Sequence, residues 1–382
     1  MTVVDNRARQ RSLAGVIGTV FGVGVAIGAI VPLLSLLLEQ RGYSAAEIGV
    51  MAAMTPVGSG CFSVLVPRIM ARVGLLKATI ASIALTAASM LLFPAIDRYL
   101  GWCVIRLLIG CIGVVHWIAS ETWINMLAPE KSRSRIMGIY ATVMAAGFAS
   151  GPVLLTLTGT EGWTPFVAIA AAALFALVPL LLTGSKPPPL EGEMHLDIFG
   201  AIRTVPLVIA AALAAGFVDT SLFTLIPVYG VRAGQSQDLA VLTLGVFTAG
   251  NLFLQYPLGW IADHTDRRLT AIATAAIVAL GAIAYPLLLP QPGPAFWTML
   301  FVWGGVSWGL YGLGLALLGD RFRPEQLAAA NAAFVMTYQV GSIAGPVLAG
   351  TALDHWPIYG LTIAVSVVAV LFILLALSRA RR

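Results

Sequence analysis

The chain has 382 residues, 59% of them hydrophobic and 10% charged, and its 22 Lys and Arg against 17 Asp and Glu give a formal charge of +5. With a mean hydropathy of +0.92, so few charges cannot cover a water-exposed surface, because soluble chains carry about 25% charged residues. A soluble enzyme, a nucleic-acid binder and a disordered protein are excluded, and the chain reads as an integral membrane protein. Cys61, Cys103 and Cys111 lie in apolar runs, an odd and scattered set with neither a disulfide framework nor metal-ligand spacing.

A membrane-crossing helix needs about 20 apolar residues at about 1.5 Å each. Twelve such runs follow one another, at 13–38, 45–66, 78–96, 102–126, 136–158, 163–183, 204–229, 238–260, 269–289, 295–318, 327–350 and 358–377. The fold expected is therefore an all-α membrane protein of twelve transmembrane helices. Span 1 follows Arg7, Arg9 and Arg11 as the core of a signal peptide would. It is longer than such a core and ends in Leu38-Glu39-Gln40-Arg41 with no small-residue cleavage site, so a retained helix is expected.

The loops carry the orientation signal. Eighteen of the 22 Lys and Arg residues fall on one side, including Arg68, Arg72, Lys131, Arg203, Arg321 and the termini. Arg41, Arg98 and Arg232 fall on the other, and Arg106 lies inside span 4. The positive-inside rule places the eighteen, and both termini, in the cytoplasm of a multi-pass protein of a bacterial inner membrane. The surplus positive charge is then a topology signal, and no nucleic-acid partner is expected.

The chain also repeats itself at an offset of about 192–195 residues. Gly147-Phe-Ala-Ser-Gly151-Pro152 in span 5 recurs as Gly341-Ser-Ile-Ala-Gly345-Pro346 in span 11, and Gly58 and Pro32 recur as Gly250 and Pro227. Two parallel six-helix halves follow, 1–183 and 204–382, joined by a cytoplasmic linker at 184–203 that contains Pro187-Pro188-Pro189.

Particular motifs then carry a family resemblance. Gly259-Trp-Ile-Ala-Asp263-His-Thr-Asp-Arg267-Arg268 after span 8 resembles the loop signature of major facilitator transporters. The matching first-half loop keeps Arg68, Arg72 and Lys77 but has Ala71 where the acid belongs. Gly138, Gly147 and Gly151-Pro152 in span 5 resemble the superfamily's antiporter motif, with Leu155-Thr156 replacing its terminal Gly pair, and Arg106 with Gly110 resembles its span 4 motif. Ser120-Glu121-Thr122-Trp123-Ile124-Asn125 followed by Arg133-Ser-Arg135 is similar to a compact bacterial subgroup often labelled sugar-transporter-like. The resemblance covers essentially the whole chain and includes bacterial facilitators of the riboflavin-transporter type. It implies two pseudo-symmetric six-helix halves that rock about a solute site near the midplane, spans 1, 4, 7 and 10 lining it.

Ionisable groups inside a bilayer cost about 2.5–3.5 kcal/mol at a span centre, so each is a functional candidate. Asp219 in span 7 and His116 in span 4 are the proton-coupling candidates, and Asp219 and Arg106 are also substrate-binding candidates. Trp117, Phe223, Asn251, Gln255, Trp303, Tyr311 and Tyr338 complete the substrate set. Trp102 and Trp297 are expected in the interfacial belts. Glu121 with Arg133 and Arg135, and Asp263 with Arg267 and Arg268, are read as gate residues at the cytoplasmic end. Gly138, Gly147, Gly151, Pro152, Gly341, Gly345 and Pro346 are read as helix-packing residues. No catalytic residue, metal or cofactor is expected. The partners expected are a small, mostly uncharged aromatic solute, the lipid bilayer and protons, acting on a monomer. Uptake of a vitamin such as riboflavin is the specific expectation, with proton-coupled efflux and a non-transporting sensor as its rivals.

Overall fold

The computed structural model describes residues 6–96, 98–129, 133–184, 206–319 and 324–378. Among these the chain is helical throughout, with turns between helices and no strand. Among the described residues eleven segments are long and apolar enough to cross a membrane, or twelve if the bent pair Ala45–Ser63 and Val66–Val73 counts as one span. The expected linker falls almost wholly outside the described residues.

The second span is where sequence and structure part. Instead of one rod over 45–66, the helix Ala45–Ser63 stops and the short helix Val66–Val73 leaves at 62°. Pro67 stands in the first turn of that short helix and Gly74 ends it with φ +82°. Val66 and Met70 are buried on one face while Arg68 and Arg72 are exposed on the other. The basic loop expected there is therefore an amphipathic helix, a geometry suited to a membrane surface. Span 1 is longer than expected, 35 residues over Asn6–Gln40, because the segment carrying Arg7, Arg9 and Arg11 continues its helix. Spans 3, 6 and 10 are each interrupted once, at Leu91, Ala176 and Trp308.

The chain forms two compact units, Met1–Leu33 with Met54–Glu193, and Leu34–Ala53 with Met194–Arg382. Residues 34–53, the end of span 1 and the start of span 2, belong to the second of these units.

Within each unit glycines bring backbones together at repeat-related places. In the first, a Cβ at Gly151 would collide with the Gly28 backbone and one at Gly147 with the Phe21 carbonyl, so spans 1 and 5 touch main chain to main chain. In the second, a Cβ at Gly341 would strike the Leu213 carbonyl and one at Gly216 the Tyr338 carbonyl, which joins spans 7 and 11 in the same way. Gly345 meets Phe217 and Ser221 on span 7. Pro152 and Pro346 are buried inside their helices, toward the C-terminal ends. Gly138 differs from these: among the described residues nothing lies within 4 Å of a Cβ built there.

Trp123 is fully buried in the first unit, where its indole N–H donates to Ser12 Oγ at 3.0 Å and it packs with Val16, Val20 and Met70. Trp102 is 1% exposed and donates to the Ile96 carbonyl at 2.8 Å, which places it inside the protein instead of in a lipid-facing belt. Large apolar side chains such as Leu157, Leu182, Leu280 and Leu371 are exposed on helix exteriors, as lipid contact requires.

Candidate functional site

In the second unit the helix Pro206–Arg232 carries Asp219 halfway along its length, 3% exposed. Tyr338 on span 11 donates its hydroxyl to Asp219 Oδ2 at 3.5 Å, the outer limit of a hydrogen bond. Asp219 Oδ1 is buried and has no hydrogen-bond partner among the described residues. Tyr311 meets Tyr338 edge to face at 5.0 Å between ring centroids and Phe334 at 5.2 Å. One turn beyond Asp219, Phe223 meets Trp308 edge to face at 6.2 Å. The glycine contacts between spans 7 and 11 explain how the acid and the tyrosine come so close, since Gly216 lies against the Tyr338 carbonyl itself. A buried carboxylate with one oxygen unmatched is costly, and it calls for a proton, a water or a donor from a solute.

Asn251 is buried in span 8 and accepts at Oδ1 from Gln255 Nε2 one turn on. Trp303 is 1% exposed, donates to the Val278 carbonyl at 3.0 Å, and its ring fills the space that a side chain at Gly281 would need. Phe247 and Tyr285 pack on the same ring at 5.3 and 5.5 Å. Trp303 is thus a wedge between spans 8, 9 and 10.

In the first unit Arg106 is buried and its carbonyl accepts from Thr55 Oγ1 at 3.1 Å. The carbonyl of Thr55 in turn lies against Gly110 on the same face of span 4. His116 is 2% exposed, with Ser120 Oγ at 3.4 Å from Nδ1 and Nε2 unpartnered among the described residues. Ser82 on span 3 spans one rung of the span 4 ladder, donating to the Ile112 carbonyl at 2.6 Å and accepting from the His116 N–H at 3.2 Å. Glu121 lies one turn beyond Trp117 along span 4.

Of the gate residues, Asp263 Oδ1 accepts from Arg267 Nη2 at 3.0 Å, and Arg267 Nη1 reaches toward the Ala316 carbonyl on span 10 at 3.5 Å. Arg268 Nε and Nη2 are buried without a partner among the described residues. The side chains of Arg133 and Arg135 lie outside the described residues, so no partner for Glu121 is assigned there.

A charge cluster at the opposite end of the second unit was not foreseen. Arg232, the last residue of span 7, donates from Nε to Glu39 Oε1 at 2.7 Å and from Nη1 to Asp354 Oδ1 at 2.8 Å. Asp354 also accepts from the Ala45 N–H at Oδ1 and the Ala46 N–H at Oδ2, both at 2.8 Å. Ser44 and Glu47 form a capping box on the same helix start, Glu47 Oε2 accepting from Ser44 N at 2.8 Å and Ser44 Oγ accepting from Glu47 N at 3.2 Å. The sequence signal for this cluster was Ser44-Ala-Ala-Glu47 ahead of an apolar run, with Arg232 as one of few cations on its side.

Residues 16–313 match the family model of the Major Facilitator Superfamily. The uncharacterized MFS-type transporter YfkF of Bacillus subtilis (strain 168) is 26% identical over 339 residues, covering 86% of this chain and 85% of its own length. Among solved structures, a D-xylose-proton symporter superposes with a TM-score of 0.75 at 16% identity, covering 96% of both chains. The nucleoside transporter NupG superposes with a TM-score of 0.71 at 12% identity, covering 98% of both chains. The chain belongs to the Major Facilitator Superfamily: it is a multi-pass secondary transporter of small molecules and not an enzyme.

Proposed function

We propose that this transporter takes up a small, mostly uncharged organic solute with a planar ring, a vitamin such as riboflavin being the specific case. Protons drive uptake through Asp219. The observation that carries the reading is the Asp219–Tyr338 pair with its unmatched carboxylate oxygen, beside the aromatic rings of Tyr311, Phe223 and Trp308. Rings stack on planar solutes, and the tyrosine hydroxyls and the Asn251–Gln255 amides offer neutral hydrogen bonds. The fold is shared with a proton symporter of a sugar and with a nucleoside transporter, which suits this chemistry. The bias of basic residues supports a bacterial inner membrane with both termini in the cytoplasm, and the chain works as a monomer. Glu121, Arg133, Arg135, Asp263, Arg267 and Arg268 serve the cytoplasmic gate, and His116 is the second proton candidate.

The test is uptake into proteoliposomes of radiolabelled riboflavin, with uridine and xylose alongside, under an imposed pH gradient. Accumulation of riboflavin that collapses with the gradient is expected. Accumulation of uridine or xylose alone would replace the solute, and no accumulation of any of them would overturn uptake of this class. Proton-coupled efflux is the second reading, favoured by the Gly147 and Gly151-Pro152 motif, and it would appear as extrusion of preloaded solute driven by an inward proton gradient, protons entering as solute leaves.

A further inference from the structure

Pro67 decides where span 2 stops. A proline there has no N–H for the Ser63 carbonyl and its ring crowds that oxygen, so Ala45–Ser63 cannot run on and Val66–Val73 leaves at 62°. The short helix is held on one face: Val66 and Met70 are buried in the cluster that contains Trp123, Val16 and Val20. Arg68 and Arg72, one turn apart, stand on the opposite face and are exposed, as is Lys77 just beyond Gly74. Apolar side chains are exposed next to these cations, Val64 at 71%, Leu65 at 40% and Val73 at 46%.

The two halves of the repeat neutralise this loop differently. In the second half Asp263 accepts from Arg267 at 3.0 Å, and Asp266 caps the next helix through the Arg268 and Leu269 N–H groups. In the first half Ala71 stands at the place of Asp263, and no Asp or Glu occurs between Glu47 and Asp97. Arg68, Arg72 and Lys77 form no ion pair among the described residues. Three cations and three apolar side chains therefore share one exposed edge without an internal counter-charge.

We propose that the helix Val66–Val73 with Lys77 is a binding site for anionic phospholipid, whose headgroup phosphate supplies the counter-charge that Asp263 supplies in the second half. The planar forks of Arg68 and Arg72 match phosphate oxygens in pairs. The acyl chains of the same lipid cover Val64, Leu65 and Val73. A helix with one face packed on protein and a basic edge beside exposed aliphatic groups sits where phosphates give way to the first methylenes. An acidic peptide would match the cations and leave the apolar side chains in water; a lipid matches both. Because Val66 and Met70 already fix the helix, the site is formed before the lipid arrives, and little ordering opposes binding.

The experiment uses the purified full chain in phosphatidylcholine nanodiscs. Cys61, Cys103 and Cys111 are replaced, and Val73→Cys carries a bimane fluorophore that brominated acyl chains quench on contact. Brominated phosphatidylglycerol should quench about fivefold more than brominated phosphatidylcholine at the same mole fraction, the enrichment that one basic residue provides near an anionic headgroup. Arg68→Gln with Arg72→Gln should bring the two lipids to equality. Arg68→Lys with Arg72→Lys should keep the preference, and so should Arg203→Gln, another cation of the same side. Ala71→Asp places an acid at an exposed position of the same helix and should also abolish the preference; it decides the matter if the double Gln variant does not fold. Equal quenching by both lipids in the parent chain overturns the site. If a preference then emerges once Glu191, Glu193 and Asp197 are changed to their amides, the acidic linker is the occupant instead. A preference that survives both the Gln pair and Ala71→Asp overturns it too. No solute is added, so the outcome is independent of the riboflavin test.

Discussion

Asp219 and Tyr338, 119 residues apart on spans 7 and 11, meet at 3.5 Å between a carboxylate oxygen and a phenol hydroxyl, and the second carboxylate oxygen is unmatched among the described residues. A pair so loosely made is easily exchanged. Asp219→Asn removes the titrating group and keeps the shape. It should abolish accumulation driven by a pH gradient while equilibrium exchange of labelled solute continues at near wild-type rate. Loss of both activities together, with lower protein yield, would make Asp219 a structural residue, and His116→Gln would then be measured the same way.

Glu121 lies one turn beyond Trp117 on span 4, near the basic end of that span. Glu121→Gln should raise the labelling of cysteines placed at that end by several-fold and change solute affinity less. Abolished affinity with unaltered accessibility would move Glu121 from the gate to the binding site.

The glycines of span 5 make a matched pair of tests. Gly151→Val drives a branched side chain into the Gly28 backbone, and overpacking of this kind costs about 1–3 kcal/mol. Gly138→Ala meets open space and should gain a few tenths of a kcal/mol from helix propensity, up to about 1 kcal/mol. Thermal unfolding in detergent should therefore fall for the first variant and hold or rise slightly for the second; a marked fall for Gly138→Ala would show a partner for that position.

Trp303→Ala removes a ring wedged between three spans and its hydrogen bond to Val278. A loss of about 3–5 kcal/mol is expected for a buried aromatic of this size, seen as a lower melting temperature. Trp303→Phe should recover most of it. If Trp303→Phe folds as wild type but alters solute selectivity, the ring contacts solute after all.

Orientation is tested in intact cells. In the background without Cys61, Cys103 and Cys111, a cysteine at Ala233, exposed beside Arg232, should react with an impermeant thiol reagent. A cysteine in the 184–197 linker should stay protected until the cells are opened. The reverse pattern would invert the topology.

Hydropathy and the repeat were enough for a chain of eleven to twelve apolar crossings and the pairing of Gly147-Gly151 with Gly341-Gly345, and the motifs around Asp263, Gly151 and Arg106 for the family, because lipid solvation and internal duplication write themselves into local sequence. Asp219 stood out for the same reason, as an acid in an apolar run. What the linear order did not disclose were contacts between residues over a hundred positions apart. Tyr338 became Asp219's partner only because glycines let spans 7 and 11 touch. Trp102 reads in sequence as a lipid-facing ring and is 1% exposed inside the protein, since an aromatic ring in a span has the same composition whichever way it faces. Arg232 read as an ordinary outer cation until Glu39 and Asp354 were beside it. Within a membrane nearly every helix face is apolar, so periodicity carries little information about facing, and the neighbours of each side chain are decided by how the helices pack.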